Sequence, residues 1–232
     1  MKRYILLFGL AASINACDLQ DPAVGVDVSQ IISLEAEKLT LLADGLDRAT
    51  LTATLGTLAD ANQEITFFTE DGKFAEADSG DPKMVTLVAS GKSAEATLIS
   101  STTVAEEVIV NARVTNFVAP LKVTYERAYP QDLTVVADKQ TVGTDRIDFA
   151  EVTIQLFRNS GSPSNNARID FEVMMQDTAT AEVLPFAYTV GSTAIVHVKS
   201  GNGKPGNVTL KCITESENGA NIERELEVTF EE

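Results

Sequence analysis

The chain has no tryptophan, a single histidine and two cysteines, and only 6% of its residues are aromatic. Zinc sites usually combine several cysteine and histidine ligands, and nucleophilic catalysis needs a base and an orienting acid beside the nucleophile. The apolar alternation around His197 predicts that this residue points outward from a strand, with no second imidazole to join it. We therefore predict a protein that is not an enzyme and that holds no metal and no cofactor.

Basic residues are also scarce, since 18 lysines and arginines stand against 34 acidic residues and the formal net charge is −16. Proteins bind nucleic acid largely by neutralising phosphates with cationic side chains, so this charge excludes nucleic acid as a partner. Acidic clusters such as Glu70-Asp71 lack the alternating ligands and closing glutamate of a calcium loop. Segment 201–206, GNGKPG, lacks the Gly-Lys-Ser/Thr order of a phosphate-binding loop and is predicted to be a turn.

The chain starts with a short basic segment and an apolar run. Met1-Lys2-Arg3 precedes an uncharged stretch from residue 4 to residue 12. That stretch is shorter than the roughly 20 residues of a transmembrane helix, and the order is typical of a secretory signal peptide, which we assign to residues 1–16. Residues 13–17, SINAC, resemble a bacterial lipobox. The resemblance implies that Cys17 carries lipid and becomes the first residue of the mature protein.

Lipid on Cys17 would make the membrane a partner of the protein, because two or more acyl chains anchor stably where one does not. Residues 17–29 show no clear period and are predicted to be a lipidated tether. We expect this anchor at the outer membrane or cell surface in preference to the inner membrane. Cys212 is then left without a disulfide partner, and its alternating run predicts a buried small apolar residue, with a reactive thiol as the alternative.

Beyond residue 29 the sequence consists of short runs in which apolar and polar residues alternate. The run from Arg48 to Leu55, RATLTATL, places Leu51, Ala53 and Leu55 on one face, as in a half-buried strand. Several short strands at this spacing favour an antiparallel β-sandwich. Similar runs, separated by turn residues, follow at 64–68, 84–89, 94–99, 107–114 and 121–125.

The pattern of the first half starts again in the second half. Segment 34–55 aligns without a gap with segment 135–156, and Lys38 and Asp47 meet Lys139 and Asp148. A repeat this long means two copies of one domain, which we predict at residues 30–128 and 129–232. The short link between them contains Pro130 and favours an end-to-end rod. Further segments align in the same order, at 64–67 with 168–171, 107–112 with 207–212 and 121–126 with 226–231.

The first copy resembles the bacterial immunoglobulin-like domains of the invasin and intimin type. Ala43-Asp44-Gly45 matches the turn that precedes the second strand of these domains. Ile65-Thr66-Phe67 matches a later strand, and Gly72 matches the turn after that strand. Segment 90–100, SGKSAEATLIS, matches a further strand motif, whereas the second copy lacks the Ala-Asp-Gly turn and is assigned by the repeat. The resemblance implies an all-β protein with two tandem Ig-like antiparallel β-sandwiches after a signal peptide and short tether.

One candidate modification site comes from a local motif. Asp177-Thr178-Ala179 resembles the short O-glycosylation motif that some Bacteroidota use on exported proteins. The resemblance implies that Thr178 accepts a sugar and that the protein belongs to a Gram-negative cell.

The anchor, the repeat and the missing catalytic residues together predict a class of function. We expect a lipid-anchored envelope or cell-surface protein, not an enzyme, whose tandem Ig-like rod acts as an adhesin-like spacer or binding module. Its partner would be another envelope or surface protein, and no small-molecule ligand is expected. The alternatives are an accessory structural subunit of an outer-membrane or periplasmic complex and a carbohydrate-binding module, which the scarcity of aromatic residues disfavours.

Overall fold

The computed structural model describes residues 27–78, 80–176 and 178–232. These residues form strands and turns, apart from one turn of 3-10 helix at Val28–Gln30, so the all-β prediction is confirmed. None of the described ranges contains a helix long and apolar enough to cross a membrane. The predicted signal peptide, Cys17 and most of the predicted tether lie outside the described residues.

The strands of the first half form two sheets. One sheet has the order β1-β3-β7-β5 and the other the order β2-β9-β8-β4-β6. Neighbouring strands pair antiparallel except β2 and β9, which are parallel. The strands are β1 (Ile32–Ala36), β2 (Thr40–Leu42), β3 (Arg48–Leu55), β4 (Glu64–Thr69), β5 (Lys73–Phe74), β6 (Met84–Val88), β7 (Ser93–Ile99), β8 (Ala105–Val114) and β9 (Phe117–Glu126).

The strands of the second half repeat this arrangement. The sheet orders are β10-β12-β16-β14 and β11-β18-β17-β13-β15, and the parallel pair is now β11 with β18. The strands are β10 (Asp132–Ala137), β11 (Thr141–Gly143), β12 (Ala150–Phe157), β13 (Arg168–Met175), β14 (Ala181–Glu182), β15 (Phe186–Tyr188), β16 (Thr193–Ser200), β17 (Gly206–Glu215) and β18 (Asn221–Glu231).

The same residue pairs meet in the two copies. Leu34 lies opposite Ala53 in the pair β1 and β3, and the residues aligned with them, Val135 and Ile154, lie opposite each other in β10 and β12. A slip of one residue would turn every side chain of a strand to the other face, so a shared register means a shared set of core positions. The internal repeat seen in the sequence is therefore a repeat of strand pairing.

A turn built on two aspartates precedes the long third strand of each copy. The Asp44 carboxylate accepts a hydrogen bond from the Asp47 N–H (2.7 Å), and Asp47 forms an ion pair with Lys38. Aspartate suits such a turn because its short side chain can bond backbone N–H groups further along the chain. The second copy makes both contacts with the aligned residues Asp145, Asp148 and Lys139.

Each copy has its own hydrophobic core. The two clusters of buried apolar side chains have no residue in common, one ending at Tyr125 and the other starting at Leu133. Burial of apolar surface is the main favourable contribution to folding, so each sandwich contains the side chains that stabilise it. Strand alternation assigned the following residues to these cores, and all are buried: Leu51, Ala53, Leu55, Val152, Ile154, Leu156 and Cys212.

The loop between β12 and β13 packs against the first sandwich. Ser164 is buried there, and its hydroxyl donates to the Ala43 carbonyl (2.8 Å) and accepts a hydrogen bond from the Ala128 N–H (2.9 Å). The Ser162 N–H donates to the carbonyl of Asp44 (2.8 Å). Because buried polar groups are costly unless paired, these bonds fix how the loop sits on the first sandwich.

A glycine permits this close contact. Gly161 has φ +69, and a Cβ atom at this position would lie 2.7 Å from the carboxylate carbon of Asp44. Any other residue would be strained in the left-handed region and would also collide with Asp44. The link between the sandwiches, residues 127–131, is therefore accompanied by a second, non-covalent connection, while the domain ends at residues 128 and 129 stay a prediction.

Candidate binding surface

The residues singled out in the sequence do not come together in one site. Cys17 and Asp177 lie outside the described residues, whereas Thr178 is exposed. His197 points outward as predicted, and its ring stacks on Phe149 with the ring centroids 4.2 Å apart. Within residues 27–78, 80–176 and 178–232, no three His, Cys, Asp or Glu side chains lie together as metal ligands would.

Cys212 belongs to the second core. Its side chain is buried, which confirms the interpretation as a small apolar residue. Burial disfavours the thiolate and raises the pKa of the Cys212 thiol to about 12. The thiol is therefore neutral in the folded protein and is a poor nucleophile.

A stripe of apolar side chains runs along strand β15, which is the edge strand of a five-stranded sheet. Its side chains alternate along the chain, and their exposed fractions are large for apolar residues. We call them the apolar edge: Leu184 (63% exposed), Phe186 (39%), Tyr188 (53%) and Val190 (80%).

Strand pairing explains why these large side chains face solvent. Ala187 lies opposite Ile169, which is fully buried, so the side of β15 that carries Ala187 faces the core. Thr189 lies on the same side, and its buried hydroxyl accepts a hydrogen bond from the Ala167 N–H (3.0 Å). Because successive side chains of a strand point to opposite faces, Phe186 and Tyr188 point outward.

The sequence contains a signal for this strand that periodicity alone does not reveal. Segment 184–190, LPFAYTV, alternates large apolar residues with small ones, and Pro185 is typical of an edge strand. Alternation alone assigns the large residues to the core, which is the reverse of what the structure shows. Only the pairing with Ile169, distant in sequence, decides which face is buried.

An arginine and two aromatic rings contact one another on this surface. The Arg168 guanidinium lies over the Phe186 ring, 4.6 Å from its centroid, and also pairs with Asp170 (2.6 Å). The rings of Phe186 and Tyr188 meet edge to face, with centroids 5.6 Å apart. Arginine and aromatic side chains of this kind dominate the binding energy of many protein interfaces.

The apolar edge continues into a groove where the two sandwiches meet. This groove has a volume of about 270 Å³ and is lined in part by Arg127, Tyr129, Pro130, Arg168, Tyr188 and Glu215. The Arg127 guanidinium makes one long hydrogen bond, to the Asn166 carbonyl (3.5 Å), and no carboxylate of the described residues pairs with it. The groove is thus formed by the link and the second sandwich.

The corresponding edge of the first sandwich is less apolar. Strand β6 occupies the place of β15 and turns Met84, Thr86 and Val88 outward without an aromatic ring of its own. Phe68 of β4 lies opposite Met84, and the Arg113 guanidinium is 5.9 Å from the Phe68 ring centroid. The hydroxyl of Thr86 bonds that of Thr66 on the neighbouring strand (3.0 Å). The second sandwich thus differs from the first in carrying two exposed aromatic rings on the edge strand itself.

Comparison with solved structures identifies the fold. The adhesin InvE of Yersinia pseudotuberculosis matches 89% of this chain at 16% identity with a TM-score of 0.55, and 60% of InvE is covered. Invasin, described as a bacterial integrin-binding protein, matches 86% of this chain at 16% identity with a TM-score of 0.58, and 39% of invasin is covered. The chain thus spans less than two thirds of each of these proteins.

These likenesses confirm the predicted fold class, which is two tandem Ig-like antiparallel β-sandwiches of the kind found in adhesins. Comparison with protein-family models and with curated protein sequences gives no match. At such low identity the neighbours show the fold alone, and many functions occur on Ig-like sandwiches. The surface of this chain is therefore what indicates its function.

Proposed function

We propose that the protein is a non-enzymatic, lipid-anchored envelope or cell-surface protein that binds another protein through its second Ig-like domain. The observation that carries this proposal is the apolar edge of β15, with Phe186 and Tyr188 exposed beside Arg168. Exposed apolar stripes with a polar rim are typical of protein-binding sites. The proposed domains are residues 30–128 and 129–232, with lipid on Cys17 after a signal peptide of residues 1–16.

The first domain acts as a spacer in this proposal. The bonds of Ser162 and Ser164 to the first sandwich hold the second one in a fixed relation to it. A spacer of this kind would carry the apolar edge away from the lipid anchor. The adhesin neighbours support such an arrangement, and one of them is described as integrin-binding, although the likeness itself concerns the fold.

Photo-crosslinking in intact cells tests the binding surface. A photoreactive phenylalanine analogue at position 186 should trap a specific protein, whereas the same analogue at position 84 should not. Met84 is a matched control because it is 45% exposed on the equivalent edge strand of the first sandwich. Equal trapping at both positions, or none at position 186, would overturn the proposed function.

The anchor and the side of the membrane need separate measurements. Changing Cys17→Ala should release the protein from the membrane fraction and abolish labelling by a fatty-acid analogue. Protease treatment of intact cells should then remove the wild-type protein if it faces outward. Complete protection would support the alternative of an accessory subunit that faces the periplasm.

We also propose Thr178, which is exposed, as a glycosylation site, to be checked by mass spectrometry of the exported protein.

A further inference from the structure

We propose that β15 binds its protein partner by strand addition, so that an extended segment of the partner becomes a new edge strand of the sheet. This inference rests on the proposed function and specifies the kind of segment that the apolar edge takes. The segment would have apolar or aromatic residues at alternate positions. Three features of the edge support it: the direction of its backbone groups, the limited protection and the side chains beside it.

The backbone of β15 presents unused hydrogen-bonding groups on its open side. On the other side, the Pro185 carbonyl accepts a hydrogen bond from the Phe171 N–H (2.9 Å), and the Thr189 N–H donates to Ala167 (3.0 Å). These bonds show that odd-numbered residues of the segment direct their polar groups toward β13. Since the direction alternates along a strand, Phe186 and Tyr188 direct their N–H and C=O groups to the open side, where no described strand pairs with them.

The protection of this edge within β15 is limited to the shortness of the strand, which has three residues. Proteins usually block open edges with very short strands, lysine, proline, a bulge or a covering loop, because an unpaired strand is a template for another chain. Residues 186–188, FAY, contain no charge and no proline, and Pro185 precedes them. The strand is therefore left open at the place where its side chains are most apolar.

The side chains beside the edge indicate what the added strand carries. Residues of an added strand would lie next to Phe186 and Tyr188 on the outer face, where aromatic and β-branched neighbours give favourable cross-strand contacts. A second copy of the chain is a poor occupant, because each copy has a net charge of −16 and copies repel one another. A segment of a different protein avoids this repulsion.

The test uses a library of short linear peptides displayed on phage and selected on the immobilised protein without its leader. Selected peptides should show alternating apolar residues. Hydrogen exchange should then slow at the Phe186 and Tyr188 amides when a peptide binds, and stay unchanged at Ala187, which already faces β13. Slower exchange at residues 186 and 188 but not at 187 indicates strand addition, because docking by side chains alone would not protect alternate backbone amides.

Two variants at one position isolate the backbone contribution. Tyr188→Ala and Tyr188→Pro both remove the ring, but only the proline removes the outward N–H. Neither change breaks a hydrogen bond between β15 and β13, because this N–H points away from β13. We expect Tyr188→Pro to bind the selected peptides about tenfold more weakly than Tyr188→Ala, the effect of one backbone hydrogen bond. The exchange measurement needs no variant and decides the matter if the proline variant does not fold.

Three results would overturn strand addition: equal affinities of the two variants, protection that includes Ala187 but neither neighbour, or no selected peptide. A concentration-dependent dimer in sedimentation that Tyr188→Pro abolishes would also overturn it, and would assign the edge to a second copy. If photo-crosslinking fails but the selected peptides bind as expected, the proposed function is wrong and strand addition at β15 still holds. If photo-crosslinking succeeds but Tyr188→Pro and Tyr188→Ala bind the peptides with equal affinity, the proposed function holds and strand addition is wrong.

Discussion

Cys212 and His197 show how strongly strand position decides the chemistry of a side chain in this protein. Both lie in alternating strands of the second sandwich, yet Cys212 is buried in the core and His197 lies on the outer face. The His197 ring stacks on Phe149, and its Nε2 atom is 3.6 Å from a carboxylate oxygen of Glu151. The residue types that usually signal catalysis thus serve as core packing and as a surface contact.

The thiol of Cys212 should be inert while the protein is folded. Because burial raises the pKa of this thiol to about 12, almost no thiolate exists near neutral pH. We expect no alkylation by iodoacetamide in native buffer and complete alkylation in denaturant, measured by mass spectrometry. The Cys17→Ala variant leaves Cys212 as the one cysteine of the sequence, so the readout is unambiguous. Complete labelling of the folded variant would contradict the buried position.

At the scale of elements, the aspartate turns before β3 and β12 are held by charge. The Asp47 carboxylate accepts hydrogen bonds from the Leu42 N–H (2.8 Å) and the Arg48 N–H (2.8 Å), and pairs with Lys38. Burial by itself raises the pKa of Asp47, but the Lys38 ammonium and these N–H groups outweigh it and hold the pKa below the ordinary value of 3.8. The ionised carboxylate therefore stabilises the folded state.

Asp47 should make the stability of the protein depend on pH in acid. A carboxyl whose pKa is lower in the folded state contributes stability above its ordinary pKa, and this contribution is lost as the pH falls toward the lower, folded value. We expect Asp47→Asn to flatten the fall in unfolding free energy between about pH 5 and about pH 2, measured by urea denaturation. Asp60→Asn, in an exposed loop, is the control and should leave the slope unchanged. Equal slopes for both variants would show that Asp47 contributes nothing.

Local patterns predicted much of the fold because alternation is a local property. The predicted strand from Arg48 to Leu55 coincides with β3, and the repeat predicted the same pairing in both copies. Strand β15 was missed for a physical reason. Its buried face carries Ala187 and Thr189, and this choice depends on the register with β13 and on the Thr189 hydrogen bond.

The loop contact between the sandwiches was also beyond reach of local patterns. Residues 160–165, SGSPSN, are ordinary turn residues, and nothing in their spacing indicates a partner. Their role depends on where the first domain lies after both domains have folded. The sequence could therefore predict a short link and an end-to-end arrangement, but not which side chain would be buried at the junction or that a groove would form there.

For the whole molecule, the junction decides whether the protein acts as one rod or as two independent domains. Residues 127–131 alone would allow bending, since a single covalent link restricts orientation weakly. Ser164 adds bonds to Ala43 and Ala128 in a buried position, and Asn165 bonds Thr102 through its N–H (2.8 Å). A rigid junction would keep the apolar edge in one orientation relative to the first sandwich.

Two serines of the same loop allow this rigidity to be tested. Ser164→Ala removes the hydroxyl that bonds the Ala43 carbonyl and the Ala128 N–H and leaves both groups unpaired, at a cost of about 1–3 kcal/mol. We expect faster trypsin cleavage after Arg127 and a broader distribution of shapes in small-angle scattering. Ser162→Ala is the matched control, because Ser162 bonds Asp44 through its backbone N–H, which the change retains. Identical cleavage rates in the two variants would mean that the loop contact does not hold the domains together.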